Sequence, residues 1–288
     1  DRLHQTLPRF YMVFACLVVP ATCVLVLTIH PPDFKAGVDP RHPVGGAQFI
    51  AEENLPGNMY NEIGTGGYLI WRLWPERKVF VDGRLEVYGA EFNEYEYGWI
   101  GYGAEGWEEK LRAWDVNYIL LRYGARVSTL LYESPNWTLI YFDDACMIFL
   151  QNRPENDPWL KRWECKVIQP DDPFMEYLKD HQSAAQAVKE AERLVQIRPK
   201  AYRPRVILGA ALAFLGQFHD AEIQLKAAIE LNPKGADAFN NLAVLYAAQG
   251  QMNLAGEYWK RALKNDPKNE SVQRNLERLK TLKAEGEN

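Results

Sequence analysis

With 288 residues, 47% of them hydrophobic and 25% charged, the chain is long enough for two domains with separate cores and has an ordinary folded composition. Its net charge of −5 sets up no basic field, which excludes nucleic acid as an expected partner. The five His are scattered without metal-ligand spacing and no G-x-S-x-G run occurs, so neither a metal nor a cofactor is expected.

Residues 1–9 are a flank. Residues 10–29, FYMVFACLVVPATCVLVLTI, carry no charge over twenty positions. That length crosses a bilayer as a helix, so a transmembrane helix in contact with membrane lipid is expected at 10–30. Pro20 is tolerated mid-span, and Cys16 and Cys23 are ordinary apolar residues on one of its faces. Arg2 and Arg9 before the span balance Lys35 and Arg41 after it, which leaves its orientation open. A linker, 31–43, begins at Pro31-Pro32.

From 44 to 152 short apolar strands alternate with helices, which predicts a small α/β domain with a mixed sheet. Helices are expected at 45–54, from 68 to 73, at 107–114 and at 127–132. Strands are expected at 79–81, 117–121, 137–142 and 146–150, the last two forming an antiparallel hairpin. Residues 61–67 read as a turn-rich link. The run Gly64-Thr65-Gly66-Gly67 lacks nucleotide-loop spacing and reads as a tight turn with close helix packing. Asp82, Arg84, Glu86 and Tyr88 follow the 79–81 strand, where α/β sheets often hold ligands. They are the candidate site for a sugar or a phosphate, Arg84 through a bidentate contact. The competing reading is a D-G turn whose Arg pairs with a nearby carboxylate. Adjacent carboxylates such as Glu108-Glu109 point to different faces and make poor acid/base partners. No catalytic residue is assigned. Cys146 lies in an apolar run and reads as a buried free thiol; a bridge to Cys165 is allowed in an oxidising compartment but not required.

Residues 153–171 are a Pro-containing junction in which Trp159 and Trp163, four apart, can dock on a neighbour. Beyond it Pro199, Pro233 and Pro267 recur at intervals of 34, as do Gly216 and Gly250, Ala221 and Ala255, and Ala228 and Ala262. Small residues at Gly209, Ala221, Ala243 and Ala255 let paired helices approach, and each Pro closes a unit because it cannot continue a helix. This stretch resembles the tetratricopeptide repeat (TPR) family, whose period is 34 residues. The resemblance implies stacked helical hairpins at 172–268, one degenerate and two clear, with a capping helix in 269–288. Phe174 and Leu178 would sit in the first helix of the degenerate copy, and Ala187 and Leu194 in its second. The implied partner is a protein or peptide, held in a groove lined by Arg203, Val206, Ala210, Phe214, Asp237, Asn240, Asn241 and Val244. The family's carboxylate-clamp binders use Lys, Arg and Asn at set groove positions. Asn241 fits one, but Val206 and Ala210 occupy two others, which favours an apolar or mixed peptide or another subunit.

A second resemblance covers about half the chain. The runs GGYLIW (66–71), VFVDGR (79–84), VYG (87–89), VNYILL (116–121) and WTLIY (137–141) are similar to the soluble tail of multi-spanning membrane proteins of the C-type glycosyltransferase superfamily. Those proteins take sugars from polyprenyl-phosphate carriers, and their tail lies outside the cytoplasm. Their catalytic carboxylates lie in loops between early membrane helices, which do not occur after Asp1.

The expected fold is therefore α/β plus all-α: an N-terminal transmembrane helix, a small mixed-sheet α/β domain and C-terminal TPR hairpins. The expected function is a membrane-anchored, periplasmic or extracellular TPR module for protein assembly. The alternative is the C-terminal soluble portion of a lipid-linked-sugar glycosyltransferase, with a polyprenyl-phosphate sugar as its ligand. Membrane helices with acidic loops upstream of Asp1 would favour the enzyme.

Overall fold

The computed structural model describes residues 39–286. The transmembrane helix expected at 10–30 lies outside the described residues. Among those described, no helix is long and apolar enough to cross a membrane. From Pro40 onward the chain forms one compact unit.

Four strands, β1 (Asn58–Asn61), β2 (Val116–Leu121), β3 (Trp137–Phe142) and β4 (Met147–Gln151), make a mixed sheet in the order β1-β2-β4-β3. β1 lies parallel to β2, and β3 and β4 form the antiparallel hairpin. Every residue of β2 is buried, as its nearly unbroken apolar sequence requires. Helices α1 (Val44–Glu52), α2 (Ile63–Leu73), α3 (Leu85–Glu91), α4 (Trp99–Tyr102), α5 (Trp107–Ala113), α6 (Val127–Glu133) and α7 (Asp157–Trp163) surround it. A π-helical stretch, Phe92–Gly98, joins α3 to α4.

The strand expected at 79–81 does not form. Asn61, fully buried at the end of β1, holds that segment with its side-chain amide. Its Oδ1 accepts from Phe80 N at 2.8 Å and its Nδ2 donates to Val81 O at 2.9 Å. One side chain thus satisfies the backbone groups that a neighbouring strand would have satisfied. Nor are residues 61–67 a loop, because α2 starts at Ile63 and contains all three glycines. A Cβ on Gly66 would lie 2.1 Å from Val81 O, so glycine there is the condition for α2 to press on the pinned segment.

The remainder is helical: α8 (His181–Ile197), α9 (Tyr202–Phe214), α10 (Phe218–Leu231), α11 (Ala236–Ala248), α12 (Met252–Asn265) and α13 (Glu270–Gly286). The pairs α9/α10 and α11/α12 are the two clear hairpins. A Cβ on Gly209 would meet Leu225 Cγ at 2.6 Å, so the small residue sets the crossing distance of α9 and α10. Gly216 and Gly250 turn the chain between paired helices with φ of 75° and 76°, a left-handed geometry that glycine adopts without a steric penalty.

The degenerate copy has only its second helix, α8. Residues 172–178 are consecutive turns, and Phe174 is exposed rather than packed in a helix. Pro170 and Pro173 break the run, and the Asp172 carboxylate accepts from Phe174 N at 2.9 Å and Glu176 N at 2.6 Å. Such local bonds compete with helix formation. α8 itself starts cleanly, on a reciprocal cap between Asp180 and Ser183.

Specific polar contacts join the sheet layer to the helical array. Asp144, in the β3–β4 turn, accepts from Tyr202 N at 3.0 Å and Arg203 N at 2.7 Å and so caps α9. Glu190 on α8 is fully buried and accepts from Lys166 N at 2.8 Å, Ile168 N at 3.2 Å and Gln186 Nε2 at 2.8 Å. Arg198, after α8, bonds Glu52 at 2.9 Å. Trp159 and Trp163 dock on Glu53 at the end of α1, each donating its indole N–H at 2.8 Å. Cys146 and Cys165 are buried and unbridged.

Candidate functional site

The period of 34 places equivalent side chains of α9 and α11 on one side of the array, and those helices line a groove of about 480 Å³. Arg203, Val206, Asp237, Asn240 and Asn241 come together in it. Ala210, Phe214 and Val244 lie further along the same helices, outside its lining; Phe214 and Val244 are 43% and 44% exposed. Phe214 meets the His181 ring at 6.2 Å.

The lining residues differ in how free they are. Arg203 lies 4.0 Å above the Tyr123 ring and donates to Pro170 O at 3.0 Å, so it braces the junction more than it faces a ligand. Val206 is buried floor. Asn240 Oδ1 accepts from Trp259 Nε1 at 3.1 Å, which fixes the amide in place. Asp237 is exposed and Asn241 half-buried, both on the rim.

Two sets of groove residues escaped sequence reasoning. One wall is the turn segment with Phe174, Met175 and Tyr177, where a helix was expected. The Tyr177 hydroxyl is buried there without a hydrogen-bond partner, and burial pushes its pKa up. The far end is Lys268 to Ser271, at the start of α13. A signal for it existed: Ser271 stands one period beyond Asp237, so α13 takes the place of a third first-helix as well as capping the array.

Asp82, Arg84, Glu86 and Tyr88 stand elsewhere, against α3. The Asp82 carboxylate is buried and occupied. It accepts from Arg84 Nε at 2.9 Å, Arg84 Nη2 at 2.6 Å, Arg84 N at 2.9 Å and Tyr88 Oη at 2.9 Å. These bonds, the Arg84 side chain's first, hold its pKa well below the usual carboxylate range. Glu86 is exposed and lies outside that network. The arrangement is the D-G turn with its Arg on a nearby carboxylate, here the Asp two residues before it.

A second cavity, of about 440 Å³, opens where the parallel strands β1 and β2 end. Glu62, Asn93, Tyr97, Tyr102 and Arg126 line it, with the π-helical stretch as one wall. Arg126 lies 5.5 Å from the Tyr102 ring. No sequence motif marks it, because its wall depends on a helix irregularity. Among the described residues no cluster of three or more His, Cys, Asp or Glu could hold a metal ion.

Comparison with known proteins bears on the array. Residues 202–234 and 236–269 each match a tetratricopeptide repeat model. No protein of curated function matches the chain. Among solved structures, the Arabidopsis OM64 TPR domain is similar at 18% identity, over 35% of this chain and 83% of its own, with a TM-score of 0.34. The Sgt2 TPR domain from Aspergillus fumigatus is similar at 17% identity, over 47% and 83%, with a TM-score of 0.36. The first TPR domain of human RPAP3 is similar at 18% identity, over 41% and 98%, with a TM-score of 0.36. The two hairpins α9/α10 and α11/α12 are thus tetratricopeptide repeats.

Proposed function

We propose that the chain is a membrane-anchored assembly module that holds a protein or peptide partner in the groove along α9 and α11. The observation that carries this reading is the groove itself. It combines an apolar floor at Val206, an aromatic wall at Phe174, a polar rim at Asp237 and Asn241, and a buried Tyr177 hydroxyl without a partner. Its volume suits a few side chains of an extended segment. Mixed lining suits a mixed segment better than an acidic tail, since Val206 and Ala210 stand where a clamp would need cations. The uncharged run at 10–29 supplies the anchor, and the periplasmic or extracellular location follows from the resemblance of residues 66–141 to extracytoplasmic tails.

The test is co-purification of the full chain from its native membrane. Wild type is expected to elute with a protein partner in fixed ratio, and so is Lys260→Glu, on the second helix of its repeat. Asp237→Arg and Asn241→Arg, both in the groove lining, are expected to elute without it. Retention of the partner by both groove variants would overturn the assignment.

The second reading is the tail of a lipid-linked-sugar glycosyltransferase. What favours it is the cavity at the ends of β1 and β2, where α/β folds often take small ligands. The Asp82 site does not add to it, because Arg84 and Tyr88 already occupy the carboxylate. Intact mass of the native protein separates the readings. A mass near the 33.1 kDa of this sequence leaves no room for catalytic membrane loops. A mass two to three times larger, on the order of ten spans of about 20 residues each, would favour the enzyme.

A further inference from the structure

Among the described residues, the C-terminal end of α2 is uncovered and aromatic. Trp71, in the last turn of α2, and Trp74, the first residue after that helix, are 67% and 61% exposed. The Arg72 guanidinium lies 5.5 Å from the Trp71 ring. On its inner side Trp71 meets the edge of Tyr68 at 5.6 Å, and Tyr68 stacks on His42 at 5.1 Å. The point where the chain enters the folded unit, around His42, is therefore one ring away from the exposed indoles.

Upstream in the sequence the uncharged run ends at Ile29. Nine residues, 30–38, separate it from Asp39, and nine extended residues reach about 30 Å at most. With 10–29 read as a span, the bilayer surface is tethered by those nine residues to Asp39, three residues before His42. Indole rings partition to the headgroup level of a bilayer, and an arginine beside them meets lipid phosphate. We propose that the Trp71–Trp74 face, with Arg72, seats in the headgroup layer of the membrane that carries the upstream segment and so fixes how the folded unit stands on it. This inference rests on the reading of 10–29 as a membrane span.

The test uses the full chain in vesicles of phosphatidylcholine with about one quarter phosphatidylglycerol, the phosphatidylcholine brominated near the headgroup end of its acyl chains. None of the nine Trp lies in 10–29, so bromine quenching reports only indoles of the folded unit that reach the lipid. Wild type is expected to lose about a fifth of its tryptophan emission, two of nine indoles. The Trp71→Phe/Trp74→Phe double variant is expected to float equally well with the vesicles and to lose almost none. Equal or absent quenching in both proteins, while both float, overturns the docking and leaves the face to a protein partner. A chain that does not float with the vesicles overturns the anchor and the docking together.

Discussion

Asp82 shows how one side chain decides the use of a whole turn. Its carboxylate accepts four bonds, from Arg84 and Tyr88, while the Arg84 guanidinium stays two-thirds exposed. Solvent around Arg84 weakens the ion pair, so Asp82→Asn is expected to cost about 1 to 2 kcal/mol at pH 7. The sign of its pH dependence follows from the depressed pKa. A carboxyl held low contributes fully above the ordinary Asp value of about 3.9 and loses that contribution as pH falls through its own lower pKa. Denaturant unfolding should therefore show the gap between wild type and Asp82→Asn narrowing below about pH 4. A gap independent of pH would mean that the charge is not what matters. The D-G turn with a nearby acceptor was legible in the sequence, because it is local. The role of Asn61 was not, since its amide bonds Phe80 and Val81, some twenty residues away, and nothing in VFV signals that its backbone is satisfied by a side chain.

At the scale of elements, the array was legible where phase repeats. Gly209, Ala221, Ala243 and Ala255 are small because helices cross there, and the spacing of 34 exposes that in sequence. Gly209→Val is expected to destabilise by about 1 to 3 kcal/mol, since Leu225 already fills the space; thermal unfolding reads it directly. The helix expected around Phe174 failed because Asp172 and two prolines gave the backbone a local alternative. α8 survives without that helix because Glu190 ties it to residues 166–168. Glu190→Ala would strand the buried N–H of Ile168 and loosen the part-buried ones of Lys166 and Val167, and should cost about 1 to 3 kcal/mol. Amide hydrogen exchange at Lys166 and Ile168 should accelerate in that variant. Unchanged exchange would mean that Glu190 is not the tie. The Asp144→Ala variant, which removes the cap of α9, should cost about 1 kcal/mol, and the effect should appear as fraying of the first turn around Tyr202.

Across the whole molecule, sheet layer and array are one body from Pro40 onward, joined through Asp144, Glu190 and Arg198. That union gives the groove a wall the repeats alone do not supply, the turns around Phe174 and Tyr177. The candidate site was therefore half legible: Asp237, Asn240 and Asn241 from repeat phase, the opposite wall only from the fold. The measurement that tests the groove assignment most directly is site-specific photo-crosslinking in the native host, with a photoreactive side chain at Asn241 or at Lys260. The expected result is one discrete protein adduct at Asn241, absent at Lys260 and abolished when Asp237→Arg is added. Equal labelling at the two positions, or an adduct indifferent to Asp237→Arg, would contradict a partner in this groove and leave the array as a brace for the sheet domain.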